Sequence, residues 1–229
     1  MTHLKRLVAS KTWPIRRKET AYTTRPSPGP HKASVSLPLN VVMRDLLKIT
    51  ASTKETKKVL NSGEILIDHK VRKDHHFPVG IMDILSMPGL KKDYVAAYDR
   101  RGRLTFHEMS PKDSAVKLCK IVNKTVLKGK KVQLNLYDGK NVNVDSDTYK
   151  VGDSVYISLK DMKVAKHLKF EKGALACLIG GRHVGRYGEI IEIKHFKGIE
   201  EDRIVIKSGD EDIETLKSYA FVTDKALEK

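Results

Sequence analysis

Cysteine is scarce in this chain. Cys119 and Cys177 are its only two among 229 residues, and both lie inside apolar runs. No CxxC pair and no His-x-Cys spacing occurs, which excludes a zinc ribbon in practice. Two such cysteines read most simply as buried small hydrophobes in a reducing compartment. Long apolar runs are also missing: none approaches the roughly 18 residues a membrane span needs. The basic opening lacks an apolar core, so no signal peptide is expected there. Tryptophan occurs once, as Trp13, and the first forty residues hold a single acid, Glu19. A cytosolic, soluble protein with no membrane partner is the expectation.

Positive charge is what the chain has in excess. It carries 44 Lys and Arg against 28 Asp and Glu, a formal +16, which is the footprint of a polyanion partner. The excess is uneven: residues 1–40 have 8 cations and 1 acid, whereas residues 171–229 have 10 and 12. The nearly neutral last quarter is therefore expected to face solvent or protein.

Residues 1–37 show neither helical nor strand periodicity, and they read as an extended basic arm. Lys5, Arg6, Lys11, Arg16, Arg17, Lys18, Arg25 and Lys32 suit a phosphate backbone. Trp13 and Tyr22 suit stacking on bases or ribose, and His31 follows the rigid turn Arg25-Pro26-Ser27-Pro28-Gly29-Pro30. Such a composition offers no core of its own, so residues 1–30 are expected to be mobile until RNA orders them. The stretches His3-Leu4-Lys5-Arg6-Leu7, Lys11-Thr12-Trp13-Pro14-Ile15-Arg16-Arg17-Lys18 and Pro28-Gly29-Pro30-His31 resemble the opening of the small-subunit S-four-e ribosomal proteins of archaea and eukaryotes. Ser10 stands where that family commonly has proline, which is expected to loosen the turn before Trp13.

Residues 38–103 read as a small α/β module. Leu39, Val42, Met43, Leu46 and Ile49 recur at helical spacing. Ser52-Thr53-Lys54-Glu55 is a capping box for a second helix, which buries Val59 and Leu60 and ends at Asn61-Ser62-Gly63. Lys54, Lys57 and Lys58 share one face of it. A strand at Ile65-Leu66-Ile67 and a turn at Asp68-His69 follow, then the basic run Lys70, Arg72, Lys73. This order resembles the S-four RNA-binding module, which implies RNA contact by those six cations.

Residues 104–170 alternate with period two around turn signals such as Asp138-Gly139, as in a small antiparallel β-barrel, with Lys128, Lys130 and Lys131 at its densest basic turn. Residues 171–229 read as a second small β-barrel. Its Gly180-Gly181-Arg182-His183-Val184-Gly185-Arg186-Tyr187-Gly188 stretch resembles the KOW motif, which implies that Arg182 and Arg186 project outward. The acidic turn Asp210-Glu211-Asp212 must point away from phosphate. The expected fold class is thus α+β and multidomain: arm, RNA-binding module, then two barrels, the last KOW-like.

Catalysis finds no support. The glycines of 180–188 fit neither G-x-G-x-x-G nor G-x-x-x-x-G-K-[ST]. His69, His75 and His76 lack a third spaced ligand, so no metal is expected. Asp68, Asp74 and Asp83 invite comparison with a pseudouridine synthase, but two small barrels leave no room for its catalytic domain. No cofactor and no small-molecule substrate is expected. The resemblance covers essentially the whole chain in the family's domain order, including Pro78-Val79-Gly80-Ile81-Met82-Asp83 and His167-Leu168-Lys169-Phe170-Glu171-Lys172-Gly173. It implies a structural constituent of the small ribosomal subunit, a monomer within the cytoplasmic ribosome that binds small-subunit rRNA and neighbouring ribosomal proteins. The length favours an archaeal member. The alternative is a non-ribosomal RNA-binding factor in ribosome assembly or transcription–translation regulation.

Overall fold

The computed structural model describes residues 4–224 except 112, 146, 197, 199 and 210, and all their side chains but that of Lys130. His3, Asp210 and the Lys130 side chain, all used above, lie outside the described residues. The chain divides into two units: Met1–Ala97 with Arg103–Lys117, and Tyr98–Gly102 with Leu118–Lys229.

In the first unit β1 (Leu4–Lys5) pairs antiparallel with β2 (Tyr22–Thr23). After β3 (Leu37–Pro38) the chain enters α1 (Leu39–Val41), which widens over Val42–Leu46 so that Leu47 N reaches Val42 O at 2.9 Å. The expected stripe is there: Leu39, Val42 and Met43 are buried, while Leu46 and Ile49 are half-buried. In α2 (Thr53–Asn61) Ser52 Oγ accepts from Glu55 N, and the Glu55 carboxylate reaches back to Ala51 N at 2.8 Å, one residue earlier than in the usual box. Leu60 is buried and Val59 half-buried.

The turn between β4 (Leu66–Ile67) and β5 (Lys70–Val71) is made by Asp68 and His69 at φ 51° and 59°, the left-handed pair that a two-residue type I′ hairpin requires. Next come β6 (Pro78–Val79), which pairs with β3, then β7 (Ile84–Met87), β8 (Lys92–Tyr98) and β9 (Leu104–Met109). Their sheet runs β5-β4-β7-β8-β9. The sequence pattern places Leu104–Met109 in the following barrel. It is instead the edge strand here, because a tight turn closing Gly102 N onto Asp99 O at 2.7 Å folds it back beside β8.

The arm is the main departure from expectation. Trp13 is 3% exposed, and residues 4–37 are packed within the first unit. Leu104 N donates to Thr12 O at 3.0 Å and Ser27 N to His76 O at 2.9 Å. Arg17 closes the segment on itself by donating to Ala9 O and Ser10 O, each at 2.7 Å. Ser10 is tied in at this turn: its hydroxyl donates to Ser34 O at 2.7 Å and lies 2.9 Å from Thr12 Oγ1. The arm borrows a core from its own module, which composition alone does not reveal.

The second unit holds two five-stranded sheets. In the first, β10 (Val116–Val126), β11 (Val132–Leu136), β12 (Asn141–Val144), β13 (Ser154–Ser158) and β14 (Val164–Leu168) are ordered β12-β11-β10-β13-β14. The first two residues of β10 count with the first unit. Val132, Leu134 and Leu136 alternate inward and pack with Ile121, Val142, Val155 and Ile157. In the second, β15 (Leu175–Leu178), β16 (Tyr187–Lys194), β17 (Arg203–Ser208), β18 (Glu211–Leu216) and β19 (Ala220–Val222) are ordered β18-β17-β16-β15-β19, each pairing antiparallel. Ile190, Ile204, Ile206 and Ile213 form its core. Gly185, at φ +85°, donates its N–H to Leu178 O at 2.8 Å, and a Cβ there would strike the Asp99 carbonyl oxygen. Only glycine fits this position.

Lys120 on β10 turns inward, its Nζ donating to Ser218 O and Ala220 O, both at 2.6 Å. Burial first, and Lys217 second, push it down to about 8 from 10.5. Between these values the unfolded chain binds the extra proton, so this group makes folding more favourable as pH rises from about 8 to 10.5. The stability difference between wild type and Lys120→Met, from denaturant melts across that window, should shift toward wild type as pH rises. A flat difference would show that Lys120 keeps its ordinary basicity.

Candidate nucleic-acid interface

A buried ionic cluster fastens the arm to its module. Lys117 Nζ donates to Asp83 Oδ1 at 2.6 Å and to Asp68 Oδ2 at 2.7 Å. His31 Nε2 lies 3.0 Å from Asp83 Oδ2, which also accepts from Gly80 N at 2.8 Å, while Asp68 Oδ1 accepts from Ile84 N at 3.1 Å. Burial pushes the Asp83 carboxyl upward, but the Lys117 ammonium and the His31 ring outweigh it and hold it well below the usual carboxylate range. Gly80 is part of the fit, since a Cβ there would fall on the His31 ring. His31 was expected on RNA. It is 6% exposed and serves this cluster instead, because the Pro-rich turn carries it inward.

Arg6 and Trp13 need the same correction. Arg6 is 3% exposed, with Nη1 donating to Glu19 at 3.1 Å and Nη2 to Asp45 at 3.4 Å. These three side chains are spent on the fold: a buried charge must be paired, and a buried indole has no face left for a base.

The other expected contacts divide by exposure. Arg17 is half-buried and occupied by backbone carbonyls. Arg72 is half-buried with its guanidinium 4.4 Å from the Phe77 ring centroid. Lys5, Lys11, Arg16, Lys18, Arg25, Lys32, Lys54, Lys57, Lys58, Lys70 and Lys73 are all exposed or half-buried at the surface. Leaving Arg25 aside, none of these is ion-paired among the described residues. Lys128, Lys131 and Arg182 of the second unit reach the surface as well.

The last sheet treats its cations differently. Arg186 is ion-paired with Glu211, Lys194 and Arg203 with Glu214 at 3.0 and 3.3 Å, and Lys217 with Asp202 at 3.2 Å. Here the protein supplies its own anions. In the arm it does so for Arg6, but among the described residues Lys5, Lys11, Arg16, Lys18 and Lys32 of the arm and Lys54, Lys57 and Lys58 of α2 have no carboxylate of their own, which leaves them open to an outside anion.

A cleft of about 1140 Å³ opens in the first unit between the arm and the segment from Arg44 to Glu55. Arg16, Arg25 and Lys48 stand at it, Ile15 and Ile49 contribute apolar surface, and Arg6, Glu19, Thr23 and Asp45 line it too. Arg44 and Lys48 were not singled out from the sequence. Their signal is the i, i+4 spacing on the polar side of the α1 stripe, which reads equally well as an ordinary solvated face.

Residues 90–164 match the family model described as Ribosomal family S4e, and residues 2–34 match that of the RS4NT (NUC023) domain. Small ribosomal subunit protein eS4 of Methanococcus vannielii is 42% identical, the alignment covering 96% of this chain and 93% of that protein. The protein of the same name from Methanothermobacter thermautotrophicus is 43% identical, covering 97% and 92%. The crystal structure of the 30S ribosomal protein S4e from Thermoplasma acidophilum superposes with a TM-score of 0.69 at 28% identity, covering 82% of this chain and 93% of that one. Identity at this level over nearly the whole length makes this chain a member of the archaeal S4e ribosomal protein family.

Proposed function

We propose that this S4e protein is a structural constituent of the small ribosomal subunit that grips rRNA chiefly through the unpaired cations of the arm and of α2. The role is binding without turnover: lysines and arginines neutralise phosphates and release counterions. The observation that carries this reading is the contrast between the free lysines Lys54, Lys57 and Lys58 and the acid-paired cations of the last sheet. Lys70 and Lys73 extend the same surface chemistry in the first unit, and Lys128, Lys131 and Arg182 offer smaller contributions from the second. The two sheets of the second unit act as small barrel domains, the last with a KOW-like loop whose Arg186 is withheld by Glu211. Neighbouring ribosomal proteins are the partners for the nearly neutral C-terminal part, and the cytoplasmic ribosome is the site of action.

The test is the salt dependence of binding to a small-subunit rRNA fragment. Replacing Lys54, Lys57 and Lys58 with Gln should weaken binding and flatten the log–log salt slope by roughly 0.7–0.9 for each phosphate no longer neutralised. An unchanged slope would assign that face of α2 to solvent and return the grip to other cations.

A further inference from the structure

The arm–helix cleft has a chemistry that general backbone binding does not require. Its cations divide by position. Arg16, Arg25 and Lys48 reach the surface, whereas Arg6 is buried and held by Glu19 and Asp45. Arg6 Nε and Thr23 Oγ1 are buried without a hydrogen-bond partner among the described residues, and both residues line the cleft. Buried polar atoms left in this way are costly unless something fills the space beside them. Glu19 gives one carboxylate oxygen to Arg6, and its other oxygen has no partner among the described residues. Tyr22, 58% exposed, also stands at the cleft.

Surface cations, apolar walls, an exposed aromatic ring and an exposed carboxylate acceptor match the parts of a nucleotide in that order. Phosphate is an anion, a base has two apolar faces, and its edge carries amino donors that a carboxylate accepts well. We infer that this cleft holds one unstacked nucleotide of the bound rRNA. Its phosphate lies on Arg16, Arg25 and Lys48, its base lies between Ile15 and Ile49 beside Tyr22, and its amino edge meets Glu19. The inference rests on the rRNA reading above and adds to it a single-stranded, base-accepting site, favouring cytosine over uracil because only cytosine offers an amino group there.

The experiment compares a cytidine hexamer with a 12-base-pair RNA duplex, by fluorescence anisotropy on the full chain. Ala51 is exposed and lines the cleft, so Ala51→Trp fills the space without removing a charge or a core side chain. It should weaken hexamer binding about tenfold, the scale of one base stack, and leave duplex binding within about twofold. Tyr22→Ala, which removes an exposed ring, should weaken the hexamer several-fold, and a uridine hexamer should bind wild type less well than cytidine. Hexamer affinity unchanged in both variants, each still folded by circular dichroism, would overturn the inference. So would a wild type that binds the duplex but not the hexamer, which would leave the broader rRNA reading intact. A wild type that binds neither RNA would instead remove the rRNA reading itself.

Discussion

Lys117→Met should destabilise the first unit by about 3–5 kcal/mol, read as a drop in denaturant midpoint followed by circular dichroism. The ammonium sits between Asp68 and Asp83 and is 2% exposed, so its removal takes away the cation the two buried carboxylates share and leaves the His31 ring beside Asp83. In wild type the low Asp83 carboxyl contributes stability that is present above its ordinary value of 3.8 and is lost as pH falls below it toward the depressed folded value. The variant should behave in the opposite sense, gaining stability on mild acidification, because one of the two buried carboxylates that shared the ammonium then takes up a proton. A Lys117→Met protein as stable as wild type at neutral pH would mean that water reaches the cluster.

Trp13→Ala should cost about as much, 3–5 kcal/mol in the free protein, the range for truncating a large buried aromatic. The indole is 3% exposed, so this loss is of packing and not of a base contact. The salt slope of rRNA binding by the folded variant should stay near that of wild type, since no cation is removed. A melt unchanged from wild type, with RNA affinity reduced, would put Trp13 back on the nucleic acid.

These two residues show where sequence is and is not informative. The helix cap at Ser52, the hairpin turn at Asp68-His69 and the alternation of Val132, Leu134 and Leu136 were legible because each is decided within a few residues of itself. The lysine face of α2 was legible for the same reason, helical spacing being local. The fate of the arm was not, because it depends on partners far along the chain: His31 meets Asp83, Arg6 meets Asp45, and Thr12 meets Leu104. A basic segment with one tryptophan looks the same whether the indole waits for a base or already lies in a core. The edge strand Leu104–Met109 was misassigned on similar grounds, since its alternation suits either neighbouring sheet. Arg186 looked like a contact residue until Glu211, twenty-five positions away, proved to hold it.

The fastened arm has a thermodynamic consequence for assembly. A disordered arm of this length would lose its conformational freedom at the moment of meeting RNA, and that loss would be subtracted from the affinity. Here the hydrogen bonds of Arg17, Ser10 and Thr12 and the buried Lys117 cluster fix the backbone during folding. On the proposed rRNA grip, its exposed cations would meet the nucleic acid as an already spaced array. Docking is closer to two shaped surfaces meeting than to a chain condensing, and the register of the charges is decided before the nucleic acid arrives.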